Sequence, residues 1–174
     1  MYKRQGWQSL VYCNGLENRR AFIGTVGSNP TPSAIKFIMS NYLSEIFKEI
    51  PDFLSILGYQ DCYHDKESDE WVVEYLPSKN LTHSNGTVVQ GGFVSGMVDS
   101  AMSQFIIYLS RGKEIPLTLD LDVKFLKPCI PDILVTAKGK IKRKGKSVIF
   151  TSGEIYQNNQ LIAIATATNK IIVL

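Results

Sequence analysis

Cysteine and histidine are both scarce in this chain. Three cysteines, Cys13, Cys62 and Cys129, stand far apart in 174 residues. An odd number at wide spacing excludes a disulfide framework and fits a reducing compartment. The two histidines, His64 and His83, have no cysteine pair beside them, which argues against a closed zinc site. No apolar run is long enough to read as a transmembrane helix. The opening residues also lack the basic-then-apolar layout of a secretory signal, so the expected address is the cytoplasm. A strong excess of either charge is missing too. The formal charge is +3, but residues 1–38 hold five basic residues against Glu17 alone. The remainder carries 14 basic and 15 acidic residues, a balance that gives no case for nucleic-acid binding. Hydrophobic residues at 44% and charged residues at 20% are ordinary for a soluble globular domain, and the length suits one core.

Residues 1–34 show neither a clean helical nor a strand period and mix Gly, Asn, Pro and Ser at short intervals. Gly27-Ser28-Asn29-Pro30 can be encoded by GGT-TCG-AAT-CCC, which contains the T-arm consensus of tRNA genes. Gly15-Leu16-Glu17-Asn18-Arg19 can be encoded by a stretch resembling a serine tRNA anticodon stem-loop. Two readings stand for this segment, a translated tRNA gene ahead of a start at Met39 or a disordered basic tail. Either way the folded domain is expected over residues 39–174.

Within that domain the organising stretch is Val88 to Leu109. At helical period Phe93, Val94, Met97, Val98, Ala101, Met102, Phe105, Ile106 and Leu109 make it apolar on almost every side, so it must be wrapped by other elements. Asp99 sits in its middle. An ionised carboxylate there is costly unless it is paired or faces a cavity where charge is useful. Ahead of it, Ser40 to Ile50 reads as a short amphipathic helix stopped by Pro51, with Phe53 to Leu57 continuing it. Tyr59 to His64 and Glu70 to Leu76 read as strands around a polar turn, and Pro77 to Gly86 as a loop.

After the helix, Arg111 to Glu114 reads as a turn. Thr118 to Leu126 follows as a strand, with Leu117, Leu119, Leu121, Val123 and Phe125 on one face. Ile133 to Arg143 and Lys146 to Tyr156 form a hairpin about Arg143-Lys144-Gly145. Beyond Asn158-Asn159, Leu161 to Ile172 returns with Ala163, Ala165 and Ala167 alternating. The pattern predicts an α+β fold in which an antiparallel sheet of about six strands curls around one long helix.

Gly86 to Met102, G-T-V-V-Q-G-G-F-V-S-G-M-V-D-S-A-M, resembles the central-helix motif of hotdog-fold acyl-CoA thioesterases, most closely the PaaI-like, phenylacetate-pathway type. The strand order and the segment L-T-L-D-L-D-V-K-F-L-K-P extend the resemblance over nearly all of residues 39–174. It implies that Asp99 is general base or nucleophile and that the Gly91 N–H polarises the thioester carbonyl, with Gly92 beside it. Physical chemistry agrees, since a helix N-terminus offers free N–H groups and partial positive charge to an oxygen that becomes negative. The resemblance also implies that Thr118 positions water or the carboxylate. Asn85, with His83 behind it, is the nearest candidate for a water-positioning residue near the loop start. Gln90 stands where the family more often has His, and it can donate a hydrogen bond but cannot shuttle a proton.

The implied reaction is hydrolysis of acyl-CoA to a carboxylic acid and CoA, with no metal or redox cofactor. The implied assembly is a homodimer, often paired again into a tetramer, with active sites between subunits. Lys124, Lys127, Arg143, Lys144 and Lys146 are candidates for the CoA phosphates, although lysines at a strand end or hairpin tip are often simply solvated. Two classes stay open, a thioester hydrolase and a non-catalytic hotdog module that binds acyl thioesters or builds a homo-oligomer. Hydratase chemistry on this fold expects His with Glu or Asp on a different motif, which the chain does not carry.

Overall fold

The structure, a computed structural model, describes residues 50–174. The segment 1–38, the start at Met39 and most of the helix expected over Ser40 to Ile50 lie outside the described residues. The elements run α1 (Asp52–Ile56), β1 (Tyr59–Asp65), β2 (Glu70–Tyr75), a single 3₁₀ turn (Lys79–Leu81), α2 (Gly91–Leu109), β3 (Glu114–Phe125), β4 (Val135–Lys144), β5 (Val148–Gln157) and β6 (Gln160–Val173). The six strands form one antiparallel sheet in the order β1-β2-β4-β5-β6-β3. This is the hotdog architecture, with α2 as its filling.

α2 is wrapped as its composition demands. Of its 19 residues, only Gly92 and Leu109 are exposed. Met97, Val98, Ala101, Met102 and Phe105 are buried against Trp71, Tyr75, Val135, Ala137 and Ile155 from the sheet, and Ile106 is buried with Ile149 and Ile171. Each fully buried large side chain contributes about 1.5–3 kcal/mol of transfer free energy. The close seating rests on two glycines that face each other across β4 and β5, Gly139 and Gly153. A Cβ on Gly139 would lie 2.8 Å from the backbone carbonyl of Ala101, and one on Gly153 would lie 2.3 Å from the Val98 side chain.

Three local features differ from the sequence pattern, each for a physical reason. β3 begins at Glu114, because Glu114, Ile115 and Pro116 already pair with Val173, Ile172 and Ile171. Pro116 is tolerated because β3 is an edge strand, where a missing N–H need not break a ladder. The preceding turn is therefore tighter, with Arg111 and Gly112 at φ 54° and 75°. The β4–β5 hairpin turns at Gly145 to Ser147, while Arg143 and Lys144 still belong to β4. Most consequentially, the row Leu117 to Phe125 does not keep one face. Thr118 pairs with Asn169 and Asp120 with the adjacent Thr168, so Leu119 is the extra residue of a β-bulge. The bulge inverts the alternation, and Thr118 comes to share the inner face with Leu121 and Val123. The Asn158-Asn159 turn has φ of 50° and 60°, as a two-residue hairpin with left-handed residues requires.

Candidate active site

The start of α2 is pinned from two sides. The Val89 N–H donates to the Cys129 carbonyl at 2.8 Å and the Gln90 N–H to the Leu81 carbonyl at 2.8 Å. Gln90 is the N-cap: its Oε1 accepts from the Gly92 N–H at 2.7 Å, leaving Nε2 as a donor. The Gly91 N–H has no hydrogen-bond partner among the described residues. It lies at a cleft of about 370 Å³ lined by His83, Val89, Gly91, Phe125, Lys127 and Cys129, among others. The Phe125 ring covers Gly91 so closely that a Cβ there would lie 3.0 Å from Cζ. Absence of a side chain thus lets an aromatic ring and a free N–H share one small space.

Asp99 stands two turns further along the helix, half-buried. The Thr118 hydroxyl donates to its Oδ1 at 2.9 Å, which the bulge at Leu119 makes possible. Burial pushes the Asp99 carboxyl above its ordinary value, and the Thr118 hydrogen bond pulls part of the way back. Thr118 also lies 3.3 Å from Asn169 Oδ1, and Asn169 Nδ2 donates to Thr151 Oγ1 at 3.2 Å. Tyr75 is fully buried near this carboxylate, and burial raises its phenol so that it stays neutral.

The other sequence candidates separate in space. Lys127 lines the cleft at the helix start and reaches Gln160 Oε1 at 3.1 Å. Lys124, at the same end of β3, pairs with Asp122. Lys144 instead pairs with Glu114 at 2.5 Å, and Arg143 and Lys146 are exposed on the same hairpin. That places the hairpin tip beside the C-terminal end of α2, away from Gly91. Asn85 is exposed, and its Oδ1 accepts from the Thr87 N–H at 3.2 Å in a local turn. His83 lines the cleft, whereas Asn85 is not among the lining residues.

Two groups in this region escape a reading of the sequence for motifs. Cys129 lines the cleft, but burial pushes its thiol up to about 11, so it is no thiolate at neutral pH. Asn169 carries no motif, yet it continues the inward row Ala163, Ala165, Ala167 of β6, and a polar residue breaking such a row is a detectable signal. Among the described residues no group of three or more His, Cys, Asp or Glu is placed to hold a metal ion. No described helix is long and apolar enough to cross a membrane.

A helix with one half-buried carboxylate and an unpartnered N–H at its start, enclosed by this sheet, defines a class. Residues 86–164 of the chain match the family model described as the thioesterase superfamily. Its structural neighbours are PaaI-like. The chain is 26% identical to the phenylacetic acid degradation-related protein of Ralstonia eutropha JMP134, with 70% of this chain and 91% of that chain covered at a TM-score of 0.64. The E. coli PaaI protein from the phenylacetic acid degradation operon shares 15% identity over 79% of this chain and 93% of its own, TM-score 0.63. A hypothetical thioesterase protein from Streptococcus pneumoniae TIGR4, crystallised with coenzyme A, shares 19% identity over 60% and 82%, TM-score 0.55. With the Bacillus subtilis protein YtoI the chain is 21% identical over 159 residues, 91% of this chain and 35% of YtoI. The chain therefore spans about a third of the length of that curated relative.

Proposed function

We propose that this domain hydrolyses acyl-CoA thioesters to a carboxylic acid and CoA, in the cytoplasm, at a site shared between two protomers. The observation that carries the reading is Asp99, a carboxylate kept on an apolar helix, raised by burial and oriented by the Thr118 hydroxyl at 2.9 Å. A general base works best when its pKa moves toward the working pH. In the proposed reaction Asp99 takes a proton from water as the oxygen adds to the thioester carbon. The carbonyl oxygen becomes an oxyanion and accepts from the Gly91 N–H, with the Gln90 Nε2 as a second donor. Collapse breaks the C–S bond, and the CoA thiolate recovers the proton from Asp99. Direct attack by Asp99, giving a mixed anhydride that water then cleaves, uses the same residues. The reading calls for no metal or redox cofactor, and coenzyme A enters as part of the substrate.

The two halves of this machinery do not meet within one protomer. Eight residues separate Gly91 from Asp99, about 12 Å along a helix axis, too far to serve one carbonyl group. Thr118, although it faces the helix, is exposed. Both facts favour completion by a second copy packed along β3. Lys127 and Lys124, at the cleft end of the same strand, are the proposed contacts for CoA phosphates on the near side. Arg143 and Lys144 reach the nucleotide only if the partner brings them there.

Purified protein, a panel of aliphatic and aryl acyl-CoAs and a thiol-detecting reagent test the proposal. Thiol release that is lost in a folded Asp99→Asn variant supports hydrolysis. Acyl-CoA binding by both proteins with no thiol released by either would establish the non-catalytic binding module instead.

A further inference from the structure

The inner row of β6 ends its run of alanines at Asn169, which is fully buried. A buried side-chain amide must find partners for its donors and its acceptor. This one finds two. Nδ2 lies 3.2 Å from Thr151 Oγ1 on β5, and Oδ1 lies 3.3 Å from Thr118 Oγ1 on β3. Because β5, β6 and β3 are neighbours in the sheet, Thr151, Asn169, Thr118 and Asp99 form one polar row leading from the core to the carboxylate.

Counting protons along that row shows two arrangements. With the amide oxygen toward Thr118, the single Thr118 hydroxyl proton faces two acceptors, Asp99 Oδ1 at 2.9 Å and Asn169 Oδ1 at 3.3 Å. That arrangement is satisfied when Asp99 is protonated, since Asp99 can donate to Thr118 and Thr118 to Asn169. Once Asp99 ionises, the charge-assisted bond takes the Thr118 proton and leaves a buried amide oxygen without a donor. Turning the amide over exchanges nitrogen and oxygen at the same heavy-atom positions. Nδ2 then donates to Thr118, and the Thr151 hydroxyl, which lies 3.4 Å from the Ala167 carbonyl, donates to Oδ1 instead. Every hydrogen bond in the row now runs toward the carboxylate.

We propose that Asn169 is a positioning residue whose amide, anchored on Thr151, directs the Thr118 hydroxyl proton onto the ionised Asp99. Its effect on rate rests on the hydrolase reading above, while its effect on Asp99 itself does not. The titratable group that faces Asp99 from the sheet is Tyr75 on β2, buried and neutral, so the ionisation of Asp99 can be followed with little interference.

The test is a pH titration of the Asp99 carboxyl carbon by ¹³C NMR in the full chain, the signal being assigned by its loss in Asp99→Asn. In Asn169→Leu and Asn169→Asp the Asp99 midpoint is expected to move to higher pH, in the direction Thr118→Val also gives. Asn169→Leu combined with Thr118→Val should add no further shift, because both act through one hydroxyl. Where the protein turns over acyl-CoA, kcat should fall about tenfold in Asn169→Leu, the loss of one oriented hydrogen bond, with KM little changed. A folded Asn169→Leu protein with the wild-type Asp99 midpoint overturns the proposal. Should the Asn169 variants not fold, Thr151→Val removes the donor that holds the turned amide, and an unchanged midpoint there overturns it equally. A wild type without turnover sinks the hydrolase reading alone, since the NMR midpoints need no substrate.

Discussion

Asp99 carries a cost that its neighbours only partly offset, and that cost has a measurable sign. Its folded carboxyl is raised by burial, so the native state holds the proton more tightly than the unfolded chain. Unfolded carboxylates of this type titrate near pH ~3.9. As pH rises through that value toward the raised native one, the native state binds more protons than the unfolded state, and stability falls. Asp99→Asn is therefore expected to raise the melting temperature at pH 7 relative to wild type, and the advantage should vanish as pH drops below the unfolded midpoint. Thermal melts across pH 3 to 8 check this, and a variant less stable than wild type at pH 7 contradicts it. The same substitution should lower kcat by about 10²-fold or more, the usual loss with a general base. More stability with less activity from one atom exchange is what a functional carboxylate predicts and a structural one does not.

At the scale of elements, the helix owes its seat to the glycine pair beneath it. In Gly139→Ala the new methyl would meet the Ala101 carbonyl at 2.8 Å and Met102 Cα at 2.9 Å, backbone atoms that no rotamer change can move aside. The expected loss is about 1–3 kcal/mol, read as a lower urea midpoint at unchanged slope. Gly91→Ala offers the contrast, because its obstacle is the ring of a half-exposed Phe125 that can swing away, and stability should change little. Neither glycine of the β4–β5 pair stands out in the sequence, since facing across two strands is a property of register. The helix itself was legible, because all-round apolarity at helical period has few other solutions. So was the carboxylate it isolates, together with the Gly-Gly start. Thr118 was legible only through the family motif. Strict alternation puts it on the face of Asp120 and Asp122, and nothing in L-T-L-D-L-D announces that Leu119 is an extra residue. Deleting Leu119 makes the register testable. With the extra residue gone, a regular β3 that keeps Leu121 and Val123 inside still turns Thr118 inward opposite Asn169, so the deletion variant should keep its far-UV circular dichroism and the wild-type Asp99 midpoint, and a midpoint moved to the Thr118→Val value would contradict this register.

The whole molecule presents an edge strand that a solitary protomer would not be expected to keep. Among the described residues β3 is unpaired along one side, and Leu117, Leu119 and Phe125 on it are 50%, 64% and 53% exposed. Long apolar edges are normally covered or blunted by charge. A second copy laid along β3 would cover them and bring a foreign helix start toward Asp99. A homo-oligomer is thus expected by light scattering, and Leu119→Lys should shift it toward monomer with loss of turnover. Subunit complementation decides whether the site is shared. An Asp99→Asn protomer paired with a Gly91→Val protomer has two sites. If each site takes Asp99 from one copy and Gly91 from the other, one site holds both lesions and the second holds none. Random pairing of the two inactive variants should then restore about a quarter of wild-type activity, half the dimers being mixed and half of their sites intact. If each site lies within one protomer, every site in the mixture carries a lesion. Mixtures as inactive as their parents, with mixed dimers shown by native mass spectrometry, would place the chemistry within a single copy.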